Sequence, residues 1–129
     1  MKKEILFITL LGTAFLQAQT AIFNPTMTVS PFNIVNSPGS EGLDKIIDGN
    51  VNTKLLDFDE NDGTGFTVNL GGASKIATSI EITTANDAEG RDPQDFEVLG
   101  SNDGVVFTSI VTDVIPCIST RFFARTFSF

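Results

Sequence analysis

Three stretches of the chain alternate apolar and polar residues. Phe66, Val68 and Leu70 alternate with Thr67 and Asn69. Ile80 and Ile82 alternate with Ser79, Glu81 and Thr83, and Phe96 and Val98 alternate with Asp95 and Glu97. Alternation of this kind turns one face of a strand toward an apolar interior and the other toward water. Two further runs, Val105 to Val111 and Phe122 to Phe129, are rich in the β-branched and aromatic residues that strands favour. Turn signals separate these segments: Gly71-Gly72, Asp87 to Pro93, Asn102-Asp103-Gly104 and Pro116. A short strand is expected near Met27-Thr28-Val29. One helical turn is expected over Leu43 to Ile47, stopped by Gly49. No stretch has the spacing of an amphipathic helix. Five or six short strands with glycine turns predict an all-β protein, a sandwich or jelly roll.

The pattern also divides the chain. Residues 1–18 read as a signal peptide. Lys2 and Lys3 supply the positive start, Ile5 to Leu16 the apolar run, and Ala18 the small residue before cleavage. That run is too short to cross about 30 Å of hydrocarbon, which takes roughly 20 residues. Export to the cell surface or beyond is the expectation, with no membrane insertion after cleavage. Residues 19–39 are rich in Pro, Ser, Gly, Asn and Thr and read as a loop-rich entry holding the first strand. Residues 40–129 read as the β-sandwich. The run Arg121 to Phe129 is read as a strand with no turn or polar cap after it, so an incomplete sandwich is expected.

Composition narrows the chemistry. In 129 residues there is no His, Trp or Tyr, against 12 Phe. The absence of His excludes a Ser-His-Asp triad, a Cys-His dyad and an HExxH zinc site. A single Cys excludes an internal disulfide and a thiolate zinc cluster. Cys117, between Pro116 and Ile118, is expected as a small buried hydrophobe. Eight basic residues face sixteen acidic ones, a net charge of −8. A nucleic-acid backbone or an anionic membrane is therefore not an expected partner. Phe needs no hydrogen-bond partner when buried, so an aromatic set made only of Phe favours packing. No pair of carboxylates stands out as a glycosidase acid and base, and independent catalysis is not expected.

Three segments, in order, carry a resemblance. They are Lys45-Ile46-Ile47-Asp48-Gly49-Asn50-Val51-Asn52-Thr53-Lys54, then Phe66-Thr67-Val68-Asn69-Leu70-Gly71, then Ile82-Thr83-Thr84-Ala85-Asn86-Asp87. The last is followed by Arg91-Asp92-Pro93 and by Phe96-Glu97-Val98-Leu99-Gly100-Ser101-Asn102-Asp103-Gly104. Over roughly 40–127 the chain resembles a coagulation factor 5/8 type C domain, also called discoidin-like, of the galactose-binding-like superfamily. The resemblance implies an all-β fold, an antiparallel jelly-roll β-sandwich of about eight strands, with the last strands, which return a closing Glu beside the first loop, missing here. It also implies a calcium loop whose ligands would be the Lys45 main-chain oxygen, the Asp48 carboxylate, the Asn50 main-chain oxygen and Thr53. Calcium takes about six to eight hard oxygens, and a tight Gly-containing loop can turn carbonyls inward. Such an ion would be structural. The same residues also make an ordinary Asx turn. Leu55 stands where many relatives carry Trp or Tyr, which leaves Phe58, with Phe32, as the exposed rings able to meet a sugar.

Two other calcium patterns fail on inspection. From Asp44, Ile46 and Leu55 occupy ligand positions of a helix-loop-helix site; from Asp57, Asp62 and Val68 replace its Gly and Glu. The acidic stretch Asp57 to Asp62 is read as a solvated loop. Arg91 is a candidate ligand contact, or else pairs with Asp87, Glu89 or Asp95 and pins the turn. Ser101 to Gly104 is read as a β-turn. The function expected is a secreted, non-catalytic module that binds an extracellular glycan through its loops. The alternatives are an adhesive module that binds a surface protein, or an accessory part of a larger secreted hydrolase.

Overall fold

The computed structural model describes residues 20–33, 36–58, 63–72 and 74–129. The leader reading of 1–18 and positions 59–62 of the acidic stretch lie outside the described residues. Six strands occur among the described residues: β1 (Thr28–Pro31), β2 (Phe66–Asn69), β3 (Ser79–Thr83), β4 (Asp95–Gly100), β5 (Thr108–Val114) and β6 (Ala124–Ser128). Two single 3₁₀ turns, Leu43–Lys45 and Glu89–Arg91, are the helical elements among them. The protein is all-β, and every strand pair is antiparallel.

The strands pair as three two-stranded sheets, β1 with β2, β3 with β6 and β4 with β5. The β4–β5 hairpin is thus nested inside the β3–β6 pair. Folding over a nested antiparallel ribbon is how a jelly roll makes its two sheets. The alternation of β4 survives as half-buried Phe96, Val98 and Gly100 between exposed Asp95, Glu97 and Leu99. Val98 lies opposite Val111 and Leu99 opposite Ser109, so Ile110 is an extra residue and the hairpin carries a bulge there. On β3–β6, Ile80 faces Phe127 and Ile82 faces Arg125. The edge of one ring meets the face of the other where Phe96 joins Phe127, with centroids 4.9 Å apart. That contact ties the two ribbons together.

Four expectations need correction. No described residue is fully buried, so the apolar faces are shielded but not enclosed. The physical reason is that each strand has one partner, and two-stranded sheets cover little surface. Val105 and Val106 are not in a strand: they are 80% and 67% exposed, and β5 starts at Thr108. Asp103 Oδ1 accepts both of their amides at 2.9 Å, which holds them in the turn. Phe122 and Phe123 likewise precede β6. Cys117 is exposed. It lies in the irregular connection between β5 and β6, where no sheet covers it.

Candidate functional site

The loop after the first 3₁₀ turn is set by Asp48-Gly49. Gly49 has φ +74°, a conformation that only Gly adopts without steric cost. Asp48 Oδ1 accepts the Asn50 amide at 2.8 Å, closing an Asx turn. Its Oδ2 lies 2.7 Å from Thr53 Oγ1. That hydroxyl is also 2.8 Å from the Asn50 carbonyl oxygen, which accepts the Thr53 amide at 3.1 Å. A hydroxyl has one proton, yet two acceptors sit at full hydrogen-bond distance from it. Asp48 Oδ2, Asn50 O and Thr53 Oγ1 therefore converge as a cluster of hard oxygens, in which the Thr53 amide serves the Asn50 carbonyl and the hydroxyl proton is left for Asp48. The Thr53 hydroxyl first, and then the Asn50 amide, hold the Asp48 carboxyl below its ordinary value.

Asp48, Asn50 and Thr53 are thus brought together. Lys45 closes the preceding 3₁₀ turn, its amide donating to the Gly42 carbonyl at 3.0 Å. Its ammonium sits on Asp44 at 2.7 Å, and that hydrogen bond raises its pKa. The donor set suits calcium in kind, with a carboxylate, a hydroxyl and a carbonyl. It holds one carboxylate, and no group of three acidic, Cys or His side chains converges among the described residues.

Thr53 also borders a cleft of about 360 Å³. That volume is within the range of about 300–1,000 Å³ typical of small-molecule sites. Glu41, Asn52, Lys54 and Asn86 line it together with Ser40 and Phe122. Lys54 crosses between loops, 2.7 Å from Asp87 and 3.6 Å from Glu41, with its side chain 13% exposed. Phe122 is 48% exposed and has φ +53°, an uncommon conformation for a bulky side chain. Sequence reasoning placed Phe122 at the start of a strand and so missed it; no local pattern announces a left-handed Phe.

The two aromatic and cationic candidates stand apart. Phe58 is 60% exposed, and its amide donates to the Asn36 carbonyl at 3.0 Å. Its neighbour Asp57 accepts the Asn36 amide at 2.9 Å and the Thr64 hydroxyl at 2.6 Å, so it anchors two segments rather than idling in solvent. Arg91 pairs with Asp87 at 3.3 Å. Asp87 thus joins Arg91 to the Lys54 wall of the cleft. Phe32 lies edge-on to Phe107 at 6.2 Å. A second depression, of about 320 Å³, lies beside the Ser101–Gly104 turn. There Asp103 is already occupied by the amides of Val105 and Val106 and the Ser101 hydroxyl.

The family model described as F5/8 type C domain matches residues 28–123. That span takes in the Asp48 loop and every residue lining the cleft. No curated protein and no solved structure gives a significant match.

Proposed function

The chain belongs to the F5/8 type C domain family, a family of non-catalytic binding modules, and from that premise we propose that it is an exported carbohydrate-binding module. One observation carries the reading. The cleft combines a half-exposed ring, Phe122, with the neutral hydrogen-bonding side chains of Asn52 and Asn86. A flat apolar ring beside a few placed polar groups is the composition of a small-ligand site. Export through residues 1–18 would put it where glycans are displayed.

Asp48, Asn50 and Thr53, with Lys45 contributing a main-chain oxygen, would hold a structural calcium ion. The convergence of a carboxylate, a carbonyl and a hydroxyl oxygen supports this assignment. The ion would fix the loop that forms one wall of the cleft and would take no part in chemistry. A second reading, a surface module that binds a protein partner, is favoured by the exposure of Val105, Val106 and Phe58.

Passing the full chain over an array of immobilised glycans tests the proposal. Retention on at least one sugar, released by the free sugar, is expected. Retention on none, with capture by a protein partner that sugar does not displace, overturns it.

A further inference from the structure

Among the described residues every sheet has two strands, so each strand has one backbone edge with no strand beside it. Such an edge is a template for a further strand unless charge, proline or shortness blunts it. Most edges here are blunted. β1 ends in Pro31 and, like β2, is four residues long. β3 has Glu81 at its centre, β4 carries Asp95 and Glu97, and β6 carries Arg125. β5 differs. At seven residues it is the longest of the six, and five of the seven are β-branched. Its one charge, Asp113, stands next to its end, which leaves Thr108 to Thr112 uncharged. β4 and β6 alternate half-buried and exposed positions, but on β5 only Val111 is half-buried. Ile110 is 49% exposed and Val114 65%.

The ladder says which backbone groups face outward. Just past β5, the Ile115 amide donates to the Gln94 carbonyl at 2.7 Å. Each residue of an antiparallel strand turns its N–H and C=O to one side, and the sides alternate. Val111 and Asp113 therefore face β4, and Thr112 and Val114 face away. The outward Val114 amide is held by its own neighbour, Asp113 Oδ1, at 2.8 Å. A second strand has to displace that bond. The bulge at Ile110 is a further restraint on pairing.

The edge also fits itself. Two copies of Thr108–Val114, laid antiparallel about a two-fold axis at Val111, pair all seven positions. Ile110 then meets Thr112, Thr108 meets Val114, and Asp113 meets the neutral Ser109. The two Asp113 residues stand four positions apart, roughly 13 Å along the strands at ~3.3 Å per residue. That exceeds the ~8 Å over which physiological salt screens charge. A two-fold contact of this kind closes on itself and does not grow into a fibre.

We propose that the outer edge of β5 docks β5 of a second copy of this chain, and that Asp113 guards the edge by holding the Val114 amide. One strand pair is a small contact beside the ~1,000 Å² of a stable interface. Two chains of net charge −8 also repel each other. The dimer is therefore weak, reversible and strengthened by salt.

Sedimentation of the full chain in reductant, over a range of concentrations at about 0.05 and 0.5 M salt, tests this. A monomer–dimer equilibrium is expected, with more dimer at the higher salt. Asp113→Asn should tighten it about 10-fold, because a neutral acceptor is displaced more easily than a charged one. Thr112→Pro removes an outward amide and leaves the β4 ladder intact; it should abolish the dimer while the circular dichroism spectrum holds. Thr112→Lys puts a charge on the same edge and serves if the Pro variant does not fold. Cys117 is exposed, so Cys117→Ser should dimerise as the unaltered chain does. A monomer in the unaltered chain at every concentration and salt overturns the proposal. Association that survives both Thr112 variants, or that is lost in Cys117→Ser, places the contact elsewhere and overturns it as well.

Discussion

Replacing Phe127 by Ala tests how the two central ribbons are held together. Phe127 sits on β6 opposite Ile80 and meets Phe96 of β4 with centroids 4.9 Å apart and ring planes at 63°. Edge-to-face pairs of this kind contribute about 0.5–1.5 kcal/mol beyond burial. Full burial of a Phe side chain contributes about 1.5–3 kcal/mol. Phe127 is half-buried, so part of that applies. The two effects together come to about 2–3 kcal/mol, below the ~3–5 kcal/mol of a fully enclosed Phe. For a domain of this size that lowers the thermal midpoint by roughly 10 °C.

The assay follows from the composition. The chain has no Trp or Tyr, so unfolding in urea is followed by far-ultraviolet circular dichroism. Phe96→Ala and the double variant complete a cycle. The coupling between the two rings should be about 0.5–1.5 kcal/mol. A coupling below about 0.3 kcal/mol, with both single variants folded, refutes the claim that this contact ties β3–β6 to β4–β5.

Other outcomes follow from the same geometry. Asp87 is held below 3.8 chiefly by Lys54, and Asp103 chiefly by the amides of Val106 and Val105. Their folded values lie below the unfolded one, so their contribution is whole above that value and is lost as pH falls through the folded values. Urea midpoints should therefore drop on acidification below about pH 4, and Asp103→Asn should flatten that drop; an unaltered acid profile would count against the turn. Calcium at about 10 mM should stabilise the chain by about 1.4–2.7 kcal/mol if its affinity is that of extracellular modules, ~10⁻⁴–10⁻³ M. Chelation should reverse the shift, and Asp48→Asn should abolish it. A calcium-dependent shift that persists in Asp48→Asn would move the ion elsewhere. Cys117 is exposed, so a thiol reagent should label it in native buffer nearly as fast as in urea; protection in native buffer would contradict that exposure.

The strands were legible because alternation is a local property. Phe96 and Val98 announce their shared face within one segment. Pairing was not legible: Ile80 meets Phe127 across the whole β4–β5 hairpin, and nothing in either segment names the other. The Asp48 turn could be read, since Asp-Gly-Asn encodes both the positive φ and the side-chain acceptor. The cleft could not. Phe122 looked like the first residue of a β-rich run, and its neighbour Arg121 is bonded to a carboxylate 29 residues away. Cys117 misled because apolar neighbours suggest burial only where a sheet covers them, and it lies outside every strand.

The cleft exists because of a register. Thr83 faces Ala124 at the end of the β3–β6 ladder, and the pairing runs on through the Thr84 amide to the Phe123 carbonyl at 3.0 Å. That extension delivers Asn86 and Phe122 to one end of the sheet from segments far apart in the chain. The Lys54–Asp87 bridge then draws the Asn52–Lys54 wall onto the same end. A slip of one residue in β6 would turn Phe127 away from Phe96 and carry Phe122 off the cleft in the same step. The packing that steadies the fold and the geometry offered to a ligand are thus set by one ladder. A change that loosens Phe127 should therefore weaken the proposed ligand binding at a distance, whereas one confined to Phe122 should leave the fold intact.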